Sequence, residues 1–138
     1  MTFILDSDTL TLYRQARRQL VVRVSEQPLS QIATTVITVE EQLTGWQALL
    51  RQSKGDAHLA YTYQRLTDSV RALSGFHILT FSEAAIARYN SLLAMKLNVG
   101  KMDLRIAAIA LEEGATVITR NLRDFQRVPE LICENWAD

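Results

Sequence analysis

The sequence predicts an α/β fold, with a central, mainly parallel β-sheet of four to five strands flanked by helices. Short apolar runs rich in β-forming residues recur along the chain, and longer segments with helical spacing separate them. No repeat, low-complexity segment or Pro/Gly/Ser-rich linker interrupts this alternation. Alternating strands and helices indicate right-handed βαβ units and a parallel sheet. The length of 138 residues predicts one domain over residues 1–138.

The chain begins with a predicted strand and helix. Residues 2–6 (TFILD) form a short apolar run that ends at an acid, which is typical of a buried strand. Apolar residues at helical spacing then predict a single helix over residues 7–20, with Ser7 or Asp8 as its cap. A second strand is predicted over residues 34–38, and it runs directly into a helix.

The middle of the chain is predicted to be mostly helical. The helix that follows the second strand extends to Gln52, and another covers residues 56–73, with Gly75 at its end. Residues 77–81 (HILTF) predict the third strand. Residues 82–96 predict a helix that begins at a serine cap.

The C-terminal third contains the most apolar helix. Residues 103–114 are apolar on nearly every side, which predicts a buried helix closed by Gly114. Residues 115–121 (ATVITRN) predict the fourth strand, and residues 131–136 predict a short edge strand.

Composition limits the classes of partner and compartment. Fifteen basic and fifteen acidic residues cancel, so an anionic partner would need a local basic patch. Cys133 is the single cysteine, which excludes an intramolecular disulfide and a cysteine-rich zinc site. The N-terminus lacks the pattern of a signal peptide, and no window reaches the roughly 18 apolar residues of a membrane span. We therefore expect a cytoplasmic protein that does not contact a membrane.

Acidic and amide side chains follow the predicted strands or open the next helices. Ligands of open parallel sheets bind at the carboxyl ends of the strands, so these side chains are expected to gather at one edge. Clustered carboxylates favour a bound cation, and an all-oxygen set suits Mg²⁺ or Mn²⁺. The residues are Asp6, Asp8, Glu40, Glu41, Asp103, Asn121 and Asp124.

Three segments carry a resemblance to a known family. In order they are ILDSDTLTLY, ITVEEQLTGW and KMDLRIAAIALEEGATVITRNLRDFQRVPELICENW. The chain resembles a PIN-domain ribonuclease of the VapC toxin type nearly from end to end, although residues 51–75 match only as generic helices. The resemblance implies the PIN-like three-layer form of the predicted fold.

The resemblance also assigns roles to particular residues. Asp6 matches the first acid of the family, and Asp103 matches the third. Glu41 matches the second, because it lies four residues before Gly45. Many relatives carry Asp at the fourth position, which is Asn121 here, so the number of metal ions stays open.

In the family reading, Asp6, Glu41 and Asp103 are therefore metal ligands, and Asn121 completes the catalytic set. Asp8 and Asp124 are expected next to these ligands rather than on the metal itself. Asp124 would compensate for the missing acid, either directly or through water. Mg²⁺ is the expected cofactor, with Mn²⁺ as a substitute.

The implied activity is metal-dependent endoribonuclease cleavage by metal-activated water, leaving a 5′-phosphate and a 3′-hydroxyl. The implied substrate is a structured RNA, either a transfer RNA or a ribosomal RNA. The resemblance further implies that the chain is the toxin of a toxin–antitoxin pair. It would form a homodimer, and an antitoxin protein would block its active site.

Basic and aromatic residues supply candidate RNA contacts. Lys101 and Arg120 are the first candidates for phosphate contacts because they flank predicted ligands, and Arg105 and Arg123 are the next. Three aromatic residues either stack on bases or belong to the core or a dimer interface. They are Trp46, Tyr61 and Tyr63.

Other interpretations remain open at this stage. Taken alone, Asp103 is an ordinary first-turn helix acid. Without the fourth acid, the chain could be a weak or inactive PIN-like scaffold that only binds RNA. The DSDTL segment is similar to the start of haloacid-dehalogenase-type phosphatases, but Leu10 stands where that pattern requires Thr or Val.

Overall fold

The centre of the molecule is a five-stranded sheet in the order β3-β2-β1-β4-β5. The computed structural model describes all 138 residues, and every neighbouring pair of strands is parallel. The predicted α/β fold with a parallel sheet is therefore confirmed. The strands are β1 (Phe3–Leu5), β2 (Ile32–Thr35), β3 (His77–Leu79), β4 (Thr116–Ile118) and β5 (Ile132–Glu134).

Seven helices surround the sheet. None of them combines the length and the apolar composition needed to cross a bilayer. A short 3₁₀ turn at Leu29–Gln31 precedes β2. The helices are α1 (Ser7–Arg14), α2 (Arg18–Ser25), α3 (Val36–Gln52), α4 (Asp56–Ser74), α5 (Glu83–Ala94), α6 (Lys101–Glu113) and α7 (Leu122–Phe125).

The single helix predicted over residues 7–20 is wrong, because the chain forms α1 and α2 instead. Ala16 adopts a left-handed conformation, with φ of 59°. The amides of Ala16 and Arg17 donate to the carbonyls of Tyr13 and Leu12, which closes α1. Alanine rarely adopts this conformation, so the apolar spacing gave no sign of the break.

The second strand also ends earlier than predicted, at Thr35 rather than Thr38. Thr35 is the N-cap of α3, because its Oγ1 accepts a hydrogen bond of 3.2 Å from the amide of Thr38. A capping threonine adopts extended backbone while satisfying a free amide of the first helical turn. The apolar residues beyond Thr35 are therefore helical.

The sheet separates two apolar cores, which makes the fold three layers deep. Side chains of a strand alternate between faces, so Ile4 contributes to one core while Phe3 and Leu5 contribute to the other. The first core is filled by α5 and α6, and the second by α1 and α2 together with Trp136.

Helix α6 is buried nearly all round, as its sequence predicted. The side chains from Ile106 to Ala110 are fully buried between the sheet and α5. Gly114 ends the helix in a left-handed conformation, with φ of 61°. The opposite end carries Asp103 in the first turn, so a rigid, densely packed helix positions this carboxylate.

Candidate active site

The candidate site lies where the strand order of the sheet reverses. Strands β1 and β4 are neighbours in the sheet, although β2 and β3 come between them in sequence. In open α/β sheets, ligands bind outside the carboxyl ends of the strands at such a reversal. Asp6 follows β1 directly, Asn121 comes three residues after β4, and β2 leads into α3. The topology therefore brings the predicted acids to one edge.

Asp6 forms the buried base of the site. It is the N-cap of α1, and its Oδ1 accepts a hydrogen bond of 2.9 Å from the amide of Thr9. Burial raises the pKa of Asp6, while the side chain of Thr119 and the amide of Thr9 act in the opposite direction. The cap fixes the orientation of a carboxylate that is only 6% exposed.

Glu41 reaches the site from α3. It is partly buried, and its Oε1 accepts a hydrogen bond of 3.2 Å from the hydroxyl of Ser7. Burial raises the pKa of Glu41, and the charges of Asp103 and Asp6 raise it further. Glu40 is exposed, which matches the expectation that Glu41 is the acid facing the site.

Asn121 connects Asp103 to Asp124. Its Nδ2 donates hydrogen bonds of 3.2 Å to Asp103 Oδ2 and 3.0 Å to Asp124 Oδ2. Arg127 in turn pairs with Asp124 at 3.0 Å and donates to the carbonyl of Asn98 at 2.8 Å. At the position that the resemblance assigns to a fourth acid, this chain therefore supplies a hydrogen-bond donor between two carboxylates.

Asp103 carries unbalanced negative charge despite this hydrogen bond. Burial raises its pKa, the charge of Asp6 raises it further, and the amide of Asn121 lowers it in part. Asp8, predicted to stand behind the ligands, is exposed in the first turn of α1. It acts on the site through its charge, which contributes to the raised pKa of Asp6.

The four predicted phosphate contacts differ in availability. Lys101 and Arg123 are exposed and take part in no ion pair. Arg120 is paired with Asp138 at 3.2 Å. Arg105 is partly buried, with its guanidinium carbon 5.2 Å from the ring centroid of Tyr89. Lys101 and Arg123 are thus free to meet a phosphate, whereas the other two are already engaged.

The donor set suits a hard divalent cation. None of the ion pairs in the chain involves Asp6, Glu41 or Asp103, so no side-chain cation offsets their charge. No group of three or more His, Cys, Asp or Glu side chains converges into a complete ligand cluster. Mg²⁺ commonly uses one or two carboxylates and several waters, and the carboxylates of Asp6 and Asp103 are ligands of the type that this ion prefers.

Two hydroxyl residues of the site were not predicted. Ser7 binds Glu41, and Thr119 influences Asp6 while its Oγ1 accepts a hydrogen bond of 2.8 Å from the amide of Asn121. Ser7 follows the predicted ligand Asp6, and Thr119 follows the last residue of β4. These positions were the only indication in the sequence that the two residues belong to the site. The contact of Thr119 with Asp6 depends on the pairing of β1 with β4, and the contact of Ser7 with Glu41 depends on the packing of α1 against α3.

Known proteins share this fold. A family model described as the PIN domain matches residues 5–131. Ribonuclease VapC2 of Rickettsia felis is 43% identical over 68 residues, covering 46% of this chain and 51% of the relative. The chain thus spans about half the length of that relative. Ribonuclease VapC1 of Haemophilus influenzae is 26% identical over 147 aligned positions and 99% of both chains.

Solved structures extend the similarity over the whole chain. The crystal structure of VapBC2 from Rickettsia felis, bound to a promoter DNA fragment, contains a chain with a TM-score of 0.72 and 26% identity, covering 99% of both chains. A DNA-bound VapBC from Salmonella typhimurium gives a TM-score of 0.78 at 21% identity, covering 99% of this chain and 98% of that one. With the family model matched over residues 5–131, this chain belongs to the PIN domain family.

Proposed function

We propose that this protein is a metal-dependent endoribonuclease and the toxin of a toxin–antitoxin pair. The observation that carries the proposal is a set of carboxylates without a cationic partner, at the strand-order reversal of a PIN domain fold. Whole-length similarity to ribonuclease VapC1 of Haemophilus influenzae supports the same activity. The proposed cofactor is Mg²⁺, which Mn²⁺ can replace.

Each residue of the site has a distinct proposed task. Asp6 and Asp103 would hold the cation. Glu41, the third predicted ligand, faces the pocket from α3, where it would bind the cation or accept a proton from the attacking water. Asn121 keeps Asp103 oriented through its 3.2 Å hydrogen bond. Bound Mg²⁺ would supply positive charge beside the scissile phosphate and make water more acidic.

Asp124 accepts a hydrogen bond from Asn121 and pairs with Arg127, and these contacts keep Asn121 in position. The exposed Lys101 and Arg123 are the proposed phosphate contacts at the rim of the pocket. In this scheme, they anchor the RNA backbone while the acidic centre remains available to the cation. The products would be a 5′-phosphate and a 3′-hydroxyl.

The proposed partners are a transfer or ribosomal RNA, a cognate antitoxin and a second copy of the chain, in the cytoplasm. The antitoxin proposal is supported by the Rickettsia felis VapBC2 complex, which is 26% identical over 99% of both chains. A second candidate is an RNA-binding scaffold without cleavage. It is supported by Asn121 in place of a fourth acid and by the absence of a complete ligand cluster.

The proposal is tested by incubating purified protein with total cellular RNA in Mg²⁺, in Mn²⁺ and in EDTA. We expect discrete products with either metal and none in EDTA. Asp103→Asn should slow cleavage by about 100- to 1,000-fold, the usual effect of removing one electrostatic group from an active site. Glu113→Gln is the matched control, because Glu113 is an exposed acid at the far end of the same helix.

The outcomes separate the two candidates. Metal-dependent products that are lost only with Asp103→Asn support the nuclease. RNA binding without cleavage under any condition would identify the scaffold instead. A protein that neither binds nor cleaves RNA would refute both candidates.

A further inference from the structure

We propose that the groove between α3 and α4 binds an unpaired nucleotide of the RNA strand next to the cleavage site. Trp46 is the stacking surface for the base, and Arg65 is the phosphate contact. This inference rests on the proposed function and deepens it, because it assigns a single-stranded segment as the part of the substrate that the chain recognises.

The groove reaches the candidate site at Glu41. Three adjoining depressions run along α3, and each shares residues with the next. The first and second share Thr11, Glu41 and Gln42. The second and third share Trp46, Leu49 and Arg65. From Glu41 to Trp46 the helix rises about 7.5 Å, which corresponds to about two stacked nucleotides at ~3.4 Å each.

Aromatic and cationic groups meet at the far end of this groove. The guanidinium carbon of Arg65 lies 5.6 Å from the ring centroid of Trp46 and 5.8 Å from that of Tyr61. One of its nitrogens donates a hydrogen bond of 2.9 Å to the hydroxyl of Tyr61. Arg65 contacts both rings but is exposed, unlike Arg105, so its other guanidinium N–H groups remain available to a phosphate. Proteins that bind single-stranded nucleic acid combine such stacking surfaces with positive charge.

The charges of the groove favour RNA over a protein partner. Arg65 and Arg14 both line the groove, and neither forms an ion pair. Glu41 is the only acid that lines the second and third depressions. A second copy of this chain docked on these two depressions by two-fold symmetry would place four arginines against two acids, because Asp8 lines only the first depression. A phosphate backbone provides the missing negative charge.

Gly45 keeps the floor of the groove open between Glu41 and Trp46. It lies in the interior of α3 and lines the second depression. A Cβ built at this position meets no atom within 4 Å, so packing within the chain does not require glycine. Glycine in a helix interior is unfavourable for stability. Its presence here fits a site where a ligand approaches the backbone closely.

The test is the affinity of two labelled probes for the full chain in EDTA, where cleavage is blocked. One probe is a decaadenylate, and the other is an abasic decamer with the same backbone charge. Trp46→Ala should weaken decaadenylate binding about tenfold, the effect of losing one stacked base, and leave the abasic decamer unaffected. Trp46→Leu keeps apolar bulk and should give the same loss, which guards against a folding defect in the alanine variant.

Arg65 should behave differently from Trp46. Arg65→Gln should weaken both probes and reduce the slope of log affinity against log salt by about 0.7, the value for one phosphate contact on a single strand. Tyr63→Ala and Arg71→Gln are matched controls. Both residues are exposed on the same helix and do not line the groove. Neither should change the affinity of either probe.

Several results would overturn the subsite. Equal losses on both probes with Trp46→Ala, or no loss on either, would exclude stacking at Trp46. A change of molecular mass in sedimentation with Trp46→Ala would assign the groove to a second copy of the chain. If wild-type protein cleaves total RNA while these variants bind normally, the subsite is wrong and the nuclease stands. If the wild type neither binds nor cleaves, both proposals fail.

Discussion

Asp103 and Asp138 carry the same side chain in opposite electrostatic surroundings. Burial raises the pKa of Asp103 at the start of α6. Asp138 is exposed, and its carboxylate accepts hydrogen bonds from Arg17 at 2.9 Å, Arg120 at 3.2 Å and Asn135 at 3.0 Å. The hydrogen bond from Asn135 lowers the pKa of Asp138 most, and the hydrogen bond and charge of Arg120 and the charge of Arg17 lower it further. One carboxylate lacks a cation, and the other has two.

The difference shows which acidic region is available to a ligand. Asp138 has cationic partners within the chain, and its ion pairs join the region before α2 to the region after β4. Around Asp103 the nearest donor is the uncharged amide of Asn121, and Asp6 adds charge of the same sign. An acidic cluster that remains unbalanced after folding indicates a cation site, and the predictions below test this contrast.

The largest expected effect comes from Asn121→Asp. This change replaces an amide that donates to two carboxylates with a third carboxylate. Loss of two hydrogen bonds should reduce the free energy of unfolding by about 1–3 kcal/mol in EDTA. Urea unfolding measures it, with Asn90→Asp as the control, because Asn90 is exposed on α5. Equal losses for both variants would mean that the site has no special charge imbalance.

Addition of Mg²⁺ should stabilise the wild type. A cation that binds only the folded state at ten times its Kd adds about 1.4 kcal/mol, which raises the melting temperature by several degrees. Thermal unfolding in EDTA and in Mg²⁺ measures the shift. Asp103→Asn should abolish it, whereas Asp138→Asn should retain it. A shift that survives Asp103→Asn would place the ion elsewhere.

The pH dependence of stability should have opposite signs in the two regions. Asp6, Glu41 and Asp103 have pKa values raised by folding, so the native state holds their protons more tightly than the unfolded chain. These three acids contribute fully to the stability of the fold at pH values below their ordinary pKa values, which are 3.8 for Asp and 4.5 for Glu. That stabilisation is lost as the pH rises through their raised pKa values. Metal-free protein should therefore lose stability over that range.

Asp138 should change the stability of the fold with pH in the opposite direction. Its lowered pKa stabilises the fold above 3.8, and this contribution disappears as pH falls through the lowered value. Unfolding in EDTA at several pH values separates the two contributions. Asp103→Asn should reduce the loss of stability that accompanies rising pH, and Asp138→Asn should leave that loss unchanged. If Asp138→Asn reduced the loss and Asp103→Asn did not, the assignment of the raised pKa values would be wrong.

The smallest effect is expected for Asp138→Asn on activity. The side chain is exposed and pairs with Arg17 and Arg120 rather than with any proposed ligand. Cleavage of total RNA should stay within about twofold of wild type, because exposed ion pairs contribute little. A large loss of cleavage would show that Arg120 acts in the site and needs Asp138 to hold it there.

The sequence predicted those elements whose boundaries have a local chemical signal. Gly75 and Gly114 were expected to end helices, and both do. The break between α1 and α2 has no such signal, because Ala16 adopts a left-handed conformation without glycine or asparagine. Residues 36–38 were likewise predicted as strand, although they belong to α3, because the cap at Thr35 ends β2.

The site was predictable in its acids but not in its hydrogen bonds. Acids that follow parallel strands meet at one edge of the sheet, so the placement of Asp6 followed from topology. Asp103 opens α6 instead, and its role as the third acid came from the resemblance. The pairing of Arg120 with Asp138 and the orientation of the Asn121 amide depend on packing between distant segments. No local pattern encodes these contacts.

The open position at Gly45 has a consequence for protein engineering. Alanine at this position would suit an interior helical site and meet no neighbour, so it should add about 0.5–1 kcal/mol to stability. A variant library sorted by heat resistance should enrich alanine there, whereas the same library sorted by capture of decaadenylate should keep glycine. Thermostability screens of this protein would then select against the surface that we propose for RNA.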